Sequence, residues 1–207
     1  MEDRIDFGNG VEYVGEVLNN KPHGKGKLSH THGTYEGDFV EGYFHGHGVV
    51  TINGILTMEA DFEMGITKGI VDIDYVNGNH YHGECENNTP HGRGTMNYGK
   101  DKYTGEYMNG IRHGKGSYEF EDGSLYVGEF ENDTMSGRGI FNESNGNKYD
   151  GEFKDGTFDG KGIYYFFNGD RYEGEFQKGV FHGKGVYYKN GTMYEGFYQN
   201  GELKVLK

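Results

Sequence analysis

The 207-residue sequence predicts an all-β repeat protein: an elongated, single-layer, twisted antiparallel β-meander of stacked hairpins running continuously over residues 1–207. Two observations carry this expectation. An aromatic, a spacer, a glycine and an acid return every 22 or 23 positions, as in Tyr13-Val14-Gly15-Glu16, Tyr81-His82-Gly83-Glu84, Tyr126-Val127-Gly128-Glu129 and Tyr172-Glu173-Gly174-Glu175, with Tyr194-Glu195-Gly196-Phe197 as the last variant. Self-similarity at that length marks an array in which each unit buries its apolar face only against its neighbours. Between copies, turn signals of two kinds alternate. One is an Asn-Gly or Asp-Gly pair, such as Asn77-Gly78, Asp122-Gly123 or Asn190-Gly191, whose tolerance of positive φ at both central positions suits a type I′ hairpin. The other is a glycine-bearing loop such as Gln177-Lys178-Gly179-Val180. Short loops force antiparallel neighbours.

The elements follow in order. Residues 1–10 match the second strand of a repeat and form an N-terminal half-repeat; residues 194–207 close the array as a C-terminal capping half-repeat. Each full repeat contributes two strands of about five residues. With nine units at about 4.8 Å per strand, the ribbon would extend roughly 80 Å. Alternation of side chains puts tyrosine, glycine and phenylalanine of Tyr172-Glu173-Gly174-Glu175-Phe176 on one face and the glutamates on the other. On the second strand, the position two beyond the His-Gly-Lys-Gly phrase holds Leu28, Val50, Val71, Met96, Tyr118, Phe141, Tyr164 and Tyr187, an apolar column. Glycine weakens a strand, but beside these columns it leaves room for a ring to lie flat across the backbone. The opposite face carries a column of acids (Glu16, Asp38, Asp61, Glu84, Glu106, Glu129, Glu152, Glu175) and a mostly basic one (Lys25, His47, Lys68, Arg93, Lys115, Arg138, Lys161, Lys184), expected to pair across strands.

Composition narrows the function classes. A formal charge of −13 opposes binding to nucleic acid or an anionic lipid surface, which demand basic footprints. The partners expected are proteins. The single cysteine, Cys85, rules out an intramolecular disulfide framework, and the start Met1-Glu2-Asp3-Arg4 does not resemble a signal peptide, so an intracellular location is expected. No stretch approaches the eighteen apolar residues of a membrane span.

No catalytic constellation stands out, and no cofactor or metal is expected. The His-Gly phrases at His23, His45, His91, His113 and His182 stand about 9–10 Å apart from repeat to repeat, too far to share one ion, and read as bends with Pro22 and Pro90 before two of them. Gly114-Lys115-Gly116-Ser117 lacks the first glycine of a phosphate-binding loop and has no following helix. A worn unit over about residues 54–76 is more aliphatic: Met58, Ala60 and Ile66 stand where tyrosine, glycine and histidine are expected. Its Leu56, Met58 and Met64 form a candidate adaptable contact surface.

The pattern Tyr-x-Gly-Glu-aromatic, a glycine loop, His-Gly-Lys/Arg-Gly, an apolar strand and Asn/Asp-Gly closely resembles the MORN repeat family over essentially the whole chain. It departs from the common form at the aromatic after the acid, usually tryptophan, here Phe39, Phe62, Tyr107, Phe130, Phe153, Phe176 or Tyr198, with the smaller Val17 and Cys85. The resemblance implies a groove lined by the repeat's aromatics, and a stand-alone array of this kind implies a non-enzymatic scaffold. Tyr118, Phe120, Phe141, Tyr164, Phe166 and Tyr187 are the candidate groove residues. The resemblance further implies protein partners in a cytoskeletal or ciliary complex, such as an axonemal radial spoke, with phosphoinositide binding at a membrane–cytoskeleton junction as the alternative. Open strands at both ends offer a route to a homodimer, braked by Lys204 and Lys207.

Overall fold

The structure, a computed structural model, describes residues 3–204. They form nineteen strands and, among the described residues, no helix. Strands are longer than the sequence predicts, most of them seven to ten residues, because turn-proximal and bulged residues stay paired. Consecutive strands pair antiparallel. The chain divides into two compact units: one takes in residues up to Gly99 with Tyr107–Gly110, the other Lys100–Glu106 with the chain from Ile111 onward. Within each, a strand bearing the Tyr-x-Gly-acid phrase (an acid strand, such as Arg171–Gln177) alternates with one bearing the His-Gly-Lys-Gly phrase (a basic strand, such as Val180–Lys189).

The two turns exchange the chemistry the sequence predicts for them. Left-handed pairs occur at Asn9-Gly10 and Asn190-Gly191, as expected, but otherwise recur after the acid strands, at Asn19-Asn20, Glu41-Gly42, Asn132-Asp133 and Lys178-Gly179. At Asn77-Gly78, Asp122-Gly123, Asn145-Gly146 and Asn168-Gly169 only the glycine is left-handed. The physical reason is an Asx turn: the side-chain oxygen of Asn77 accepts the Asn79 N–H (3.0 Å), and Asp122, Asn145 and Asn168 accept from Ser124, Asn147 and Asp170 in the same way. Gly78 N–H donates to the Tyr75 carbonyl and Tyr75 N–H to that of Asn79, which makes a three-residue loop rather than a two-residue one.

The core is a layer of rings on one face. In register, glycine faces glycine across strand after strand: Gly15 with Gly26, Gly26 with Gly37 and Gly37 with Gly48 in the first unit, and from Gly116 and Gly128 to Gly185 and Gly196 in the second. Each repeat tyrosine lies across such a pair. A Cβ on Gly139 would meet the Tyr126 ring, and one on Gly128 would stand 2.6 Å from the Gly139 Cα. The hydroxyl is satisfied by the carbonyl three residues on: Tyr81 donates to Glu84 O at 2.7 Å, Tyr126 to Glu129 O at 2.8 Å and Tyr149 to Glu152 O at 2.9 Å. The aromatic after the acid closes the sides by edge-to-face contact, Tyr126 with Phe130 and Phe153 at 5.1 and 4.9 Å, Tyr149 with Phe153 and Phe176 at 5.2 and 4.8 Å. Such pairs contribute about 0.5–1.5 kcal/mol each beyond burial.

A lid completes the box. Phe44, Phe158 and Phe181 stack on Tyr35, Tyr149 and Tyr172 at 3.8–3.9 Å. Arg112 takes the same place, its guanidinium 5.7 Å from the Tyr103 ring. Pro22 and Pro90 occupy this register position, opposite Val17 and Cys85, so they lie inside strands and not in loops. The histidine after the lid is likewise within a strand, where its carbonyl accepts from the tyrosine, His23 from Tyr13 and His182 from Tyr172, both at 3.2 Å. Enclosed on all sides, Tyr13, Tyr35, Tyr81, Tyr103, Tyr126, Tyr149 and Tyr172 are at most 2% exposed without a second layer of backbone.

The worn unit keeps this geometry with different parts and corrects the alignment read from sequence. Asp61 pairs with Lys68 and Ile70 with Glu84, so Lys68 stands at the histidine position and Ile70 in the basic column. Val71 therefore occupies the second glycine position, opposite Gly83, and Ile73 takes the apolar column opposite Tyr81. Where the ring is lost to Met58, the two glycines have become Ala60 and Val71, and all three are buried, Val71 completely. The side chains fill the volume that the ring occupies elsewhere.

Two measurements test this core. Burial pushes the phenols of Tyr35, Tyr126 and Tyr172 up to about 12 from the usual 10. A raised folded pKa means that the fold favours the protonated form, so the stabilisation is complete below pH 10 and lost as pH rises from 10 through 12. Thermal melts should be flat with respect to pH up to about 9.5 and fall steeply above 10, with tyrosinate absorbance appearing together with loss of the β-sheet circular dichroism. In the second test, Tyr126→Met, Gly128→Ala and Gly139→Val are made singly and together, copying Met58, Ala60 and Val71. Each single change should destabilise in urea unfolding, and the triple variant should recover a coupling in the upper part of the range of about 0.5–3 kcal/mol. Additive losses would contradict the volume exchange.

Candidate partner-binding surfaces

The face opposite the rings is built by the acids. A bulge after the row glycine sets Glu129 against Ser136 and Glu175 against His182. The first glycine of the next phrase is left-handed there, φ 61° at Gly137 and 58° at Gly183, and the carboxylate lies over it, where any Cβ would collide. The carboxylate also accepts the next backbone N–H: Lys25 donates to Glu16 at 3.0 Å, Arg93 to Glu84 at 2.7 Å and Lys161 to Glu152 at 3.2 Å. This revises the expected charge columns. Lys25–Asp38 (2.9 Å) and His47–Asp61 (3.3 Å) do pair, but Arg138 and Lys161, in register with Glu152 and Glu175, form no ion pair with them among the described residues. Glu152 is held by the Lys161 backbone amide instead, and Arg138 stands apart from it.

In the second unit this leaves a groove of about 1000 Å³ floored by Gly151, Gly162, Gly174 and Gly185. Arg138, Lys161 and Lys184 rise on one bank, with Glu175 between the two lysines, and Asp150, Glu173 and Glu195 on the other, with Ile163 and Val186 between the acids. It is a polar groove of mixed charge, on the face away from the rings.

The predicted aromatic residues form a separate surface on the ring face of the same unit. Tyr118, Phe120, Phe141, Tyr164, Phe166 and Tyr187 are each partly exposed. Their rings touch in sequence: Tyr118 with Phe120 at 4.6 Å, Phe120 with Phe141 at 5.6 Å, Tyr164 with Phe166 at 4.8 Å and Phe166 with Tyr187 at 5.6 Å, with Phe158 joining Phe141 to Tyr164 at 6.2 Å on each side. Acids at the strand ends fix the hydroxyls: Tyr118 donates to Asp101 at 2.9 Å and Tyr164 to Glu143 at 2.6 Å, and burial together with Glu143 pushes the Tyr164 phenol well above its ordinary range.

The worn-unit candidates are not brought together. Met58 is buried, Leu56 is half-buried at the start of its strand, and Met64 lies exposed in the turn beyond the other end, one of a left-handed pair with Gly65. Cys85 is half-buried, and burial pushes its thiol up to about 11, away from nucleophile chemistry. Lys204 is paired with Glu202 at 2.8 Å at the last described strand, while Lys207 lies outside the described residues. The lids and the glycine-floored groove were missed from sequence; the signal available was Phe44 before His45, Phe181 before His182 and Phe158 at the same place before Asp159.

Comparison with known proteins supplies the family. The model described as MORN repeat matches residues 13–31, 35–53, 81–100, 103–125, 126–148, 149–171 and 172–193, well over half of the chain. Among solved structures, the chain is similar to "SAS-4 (dCPAP) TCP domain in complex with a Proline Rich Motif of Ana2 (dSTIL) of Drosophila Melanogaster", at 12% identity over 74% of this chain and 85% of that one, with a TM-score of 0.45. Seven matched segments, two before the worn unit and five after it, each carrying the tyrosine, the glycine pair and the acid in the geometry above, place this chain in the MORN repeat family.

Proposed function

We propose that this chain is a non-enzymatic intracellular assembly scaffold that holds a segment of a protein partner on the ring ladder from Tyr118 to Tyr187, within a cytoskeletal or ciliary complex of the radial-spoke kind. The ladder is the observation that supports this most. Aromatic edges already locked by mutual contact and by Asp101 and Glu143 lose little conformational freedom when a partner covers them, which favours anchoring. Repeat arrays of this family provide protein-interaction surfaces, and neither the ladder nor the groove assembles a nucleophile, base and electrophile.

A second reading, a phosphoinositide-binding adaptor, draws on Arg138, Lys161 and Lys184 along one bank of the polar groove. Asp150, Glu173 and Glu195 on the other bank and the net charge of −13 oppose it. Pairing of two copies through the terminal strands is compatible with either reading.

Crosslinking mass spectrometry on the tagged protein in its native cell tests the scaffold. A defined partner should crosslink beside the ladder and be lost in Phe120→Ser/Phe166→Ser, while the variant retains the wild-type β-sheet spectrum. Unchanged crosslinks in a folded variant would remove the ladder from the proposal. Flotation with phosphoinositide vesicles should leave the wild-type protein in the unbound fraction; co-flotation abolished by Lys161→Glu/Lys184→Glu would favour the adaptor instead.

A further inference from the structure

We infer that the hairpin formed by Ile66–Tyr75 and His80–Glu86 carries a surface site for a borderline-soft divalent cation, of which zinc is the type, held by His80, His82 and Asp72. The expectation that the chain binds no metal rests on the His-Gly phrases, whose spacing is too long; these two histidines lie outside them, at positions i and i+2 of one strand. Alternation turns both onto the face opposite the rings. Register sets Asp72 opposite His82 and Asp74 opposite His80, so four donor groups share one patch two strands wide.

Their contacts converge on one oxygen. Asp72 Oδ1 lies 2.8 Å from His82 Nδ1 and 3.6 Å from His80 Nε2. Donors around an ion bound at 2.0–2.1 Å are separated by about 3.3 Å when tetrahedral, and the two observed separations bracket that value. Among the described residues no group of three such side chains is already arranged to hold an ion. The Asp72 oxygen already lies beside both imidazoles, and a small rotation of these exposed side chains is what closes the three donors around one ion.

The second nitrogen of His80 is placed to support coordination. His80 Nδ1 lies 2.7 Å from Asp74 Oδ1, and the tautomer that donates there offers the Nε2 lone pair, 3.6 Å from Asp72 Oδ1, to an ion. A histidine ligand whose second nitrogen donates to a carboxylate is the usual outer-shell arrangement of a metal site. Asp74 is therefore a positioning residue rather than a ligand. Glu59, the register partner of Asp72 on the preceding strand, is turned toward His47 at 3.1 Å and leaves the fourth position to water. Binding exchanges the hydrogen bond from His82 Nδ1 to Asp72 for a bond from each to the ion, the His82 proton moving by solvent exchange from Nδ1 to Nε2 so that the ring stays neutral.

Isothermal titration of the metal-free full chain with zinc chloride, and visible d–d absorption on adding cobalt(II), test the site. One ion should bind per chain, magnesium should not compete, and the cobalt spectrum should be of the intense tetrahedral kind. His80→Gln/His82→Gln should abolish binding, and Asp74→Asn should weaken it by about 10–100-fold, with the circular dichroism of both variants unchanged. The stacked pair His30 and His32, with Nδ1 atoms 3.3 Å apart in a turn, is the control. Zinc binding that survives His80→Gln/His82→Gln but disappears in His30→Gln/His32→Gln would overturn the assignment, as would absence of any cobalt band in the wild-type chain.

Discussion

A tyrosine ring can lie flat on a β-sheet only where the strands beneath it present no side chains, and only if something else shuts out water from above. Both conditions shape this protein. The paired glycines from Gly15 and Gly26 through to Gly185 and Gly196 supply the bare floor, and the lids Phe44, Phe158 and Phe181 supply the roof. A hydrophobic core normally needs two layers of backbone, each offering one apolar face. Here one layer suffices because the second is made of side chains lying parallel to the sheet, with each hydroxyl returned to a carbonyl of its own strand. The glycines, a weakness in an ordinary strand, are the precondition of the burial.

The same glycines organise the other face. A residue without a side chain on the ring face still has backbone on the far side, so the row becomes the bed of a furrow whose banks are the residues before and after it. The acid of each repeat then serves the chain rather than a ligand: Glu84 and Glu152 cap the left-handed glycines and accept the following amides. Lysines and arginines left without these partners line the furrow from Arg138 to Lys184. One repeat motif thus yields a packed aromatic side and a charged side from a single constraint.

Much of this was legible in the residues. Periodicity gave the hairpins, alternation gave the faces, and the idea that glycine makes room for a ring led directly to the floor beneath Tyr126. The turns were not legible in detail, because Asn-Gly at positions 77 and 78 fits a left-handed pair as well as an Asx turn, and only the reach of the Asn77 side chain to Asn79 decides between them. Alignment of the worn unit failed for a related reason. Gly69 was matched to the row glycine, whereas the row position holds Val71, a residue no glycine pattern could find. The ladder residues Tyr118 to Tyr187 were named from sequence and lie together, but Leu56 and Met64 were grouped by composition alone and stand at opposite ends of one strand.

Met58, Ala60 and Val71 carry a consequence for how such an array ages. A ring and two bare backbone positions form one indivisible part, spread over fourteen residues and two strands, as from Met58 to Val71. Loss of the ring alone leaves a hole, and gain of either methyl-bearing residue alone strikes the ring, so intermediates on the way to the aliphatic version are handicapped in both directions. Units of this chain should diverge in jumps, one whole cell of the lattice at a time, and a repeat that looks decayed in its signature can be as tightly built as its neighbours.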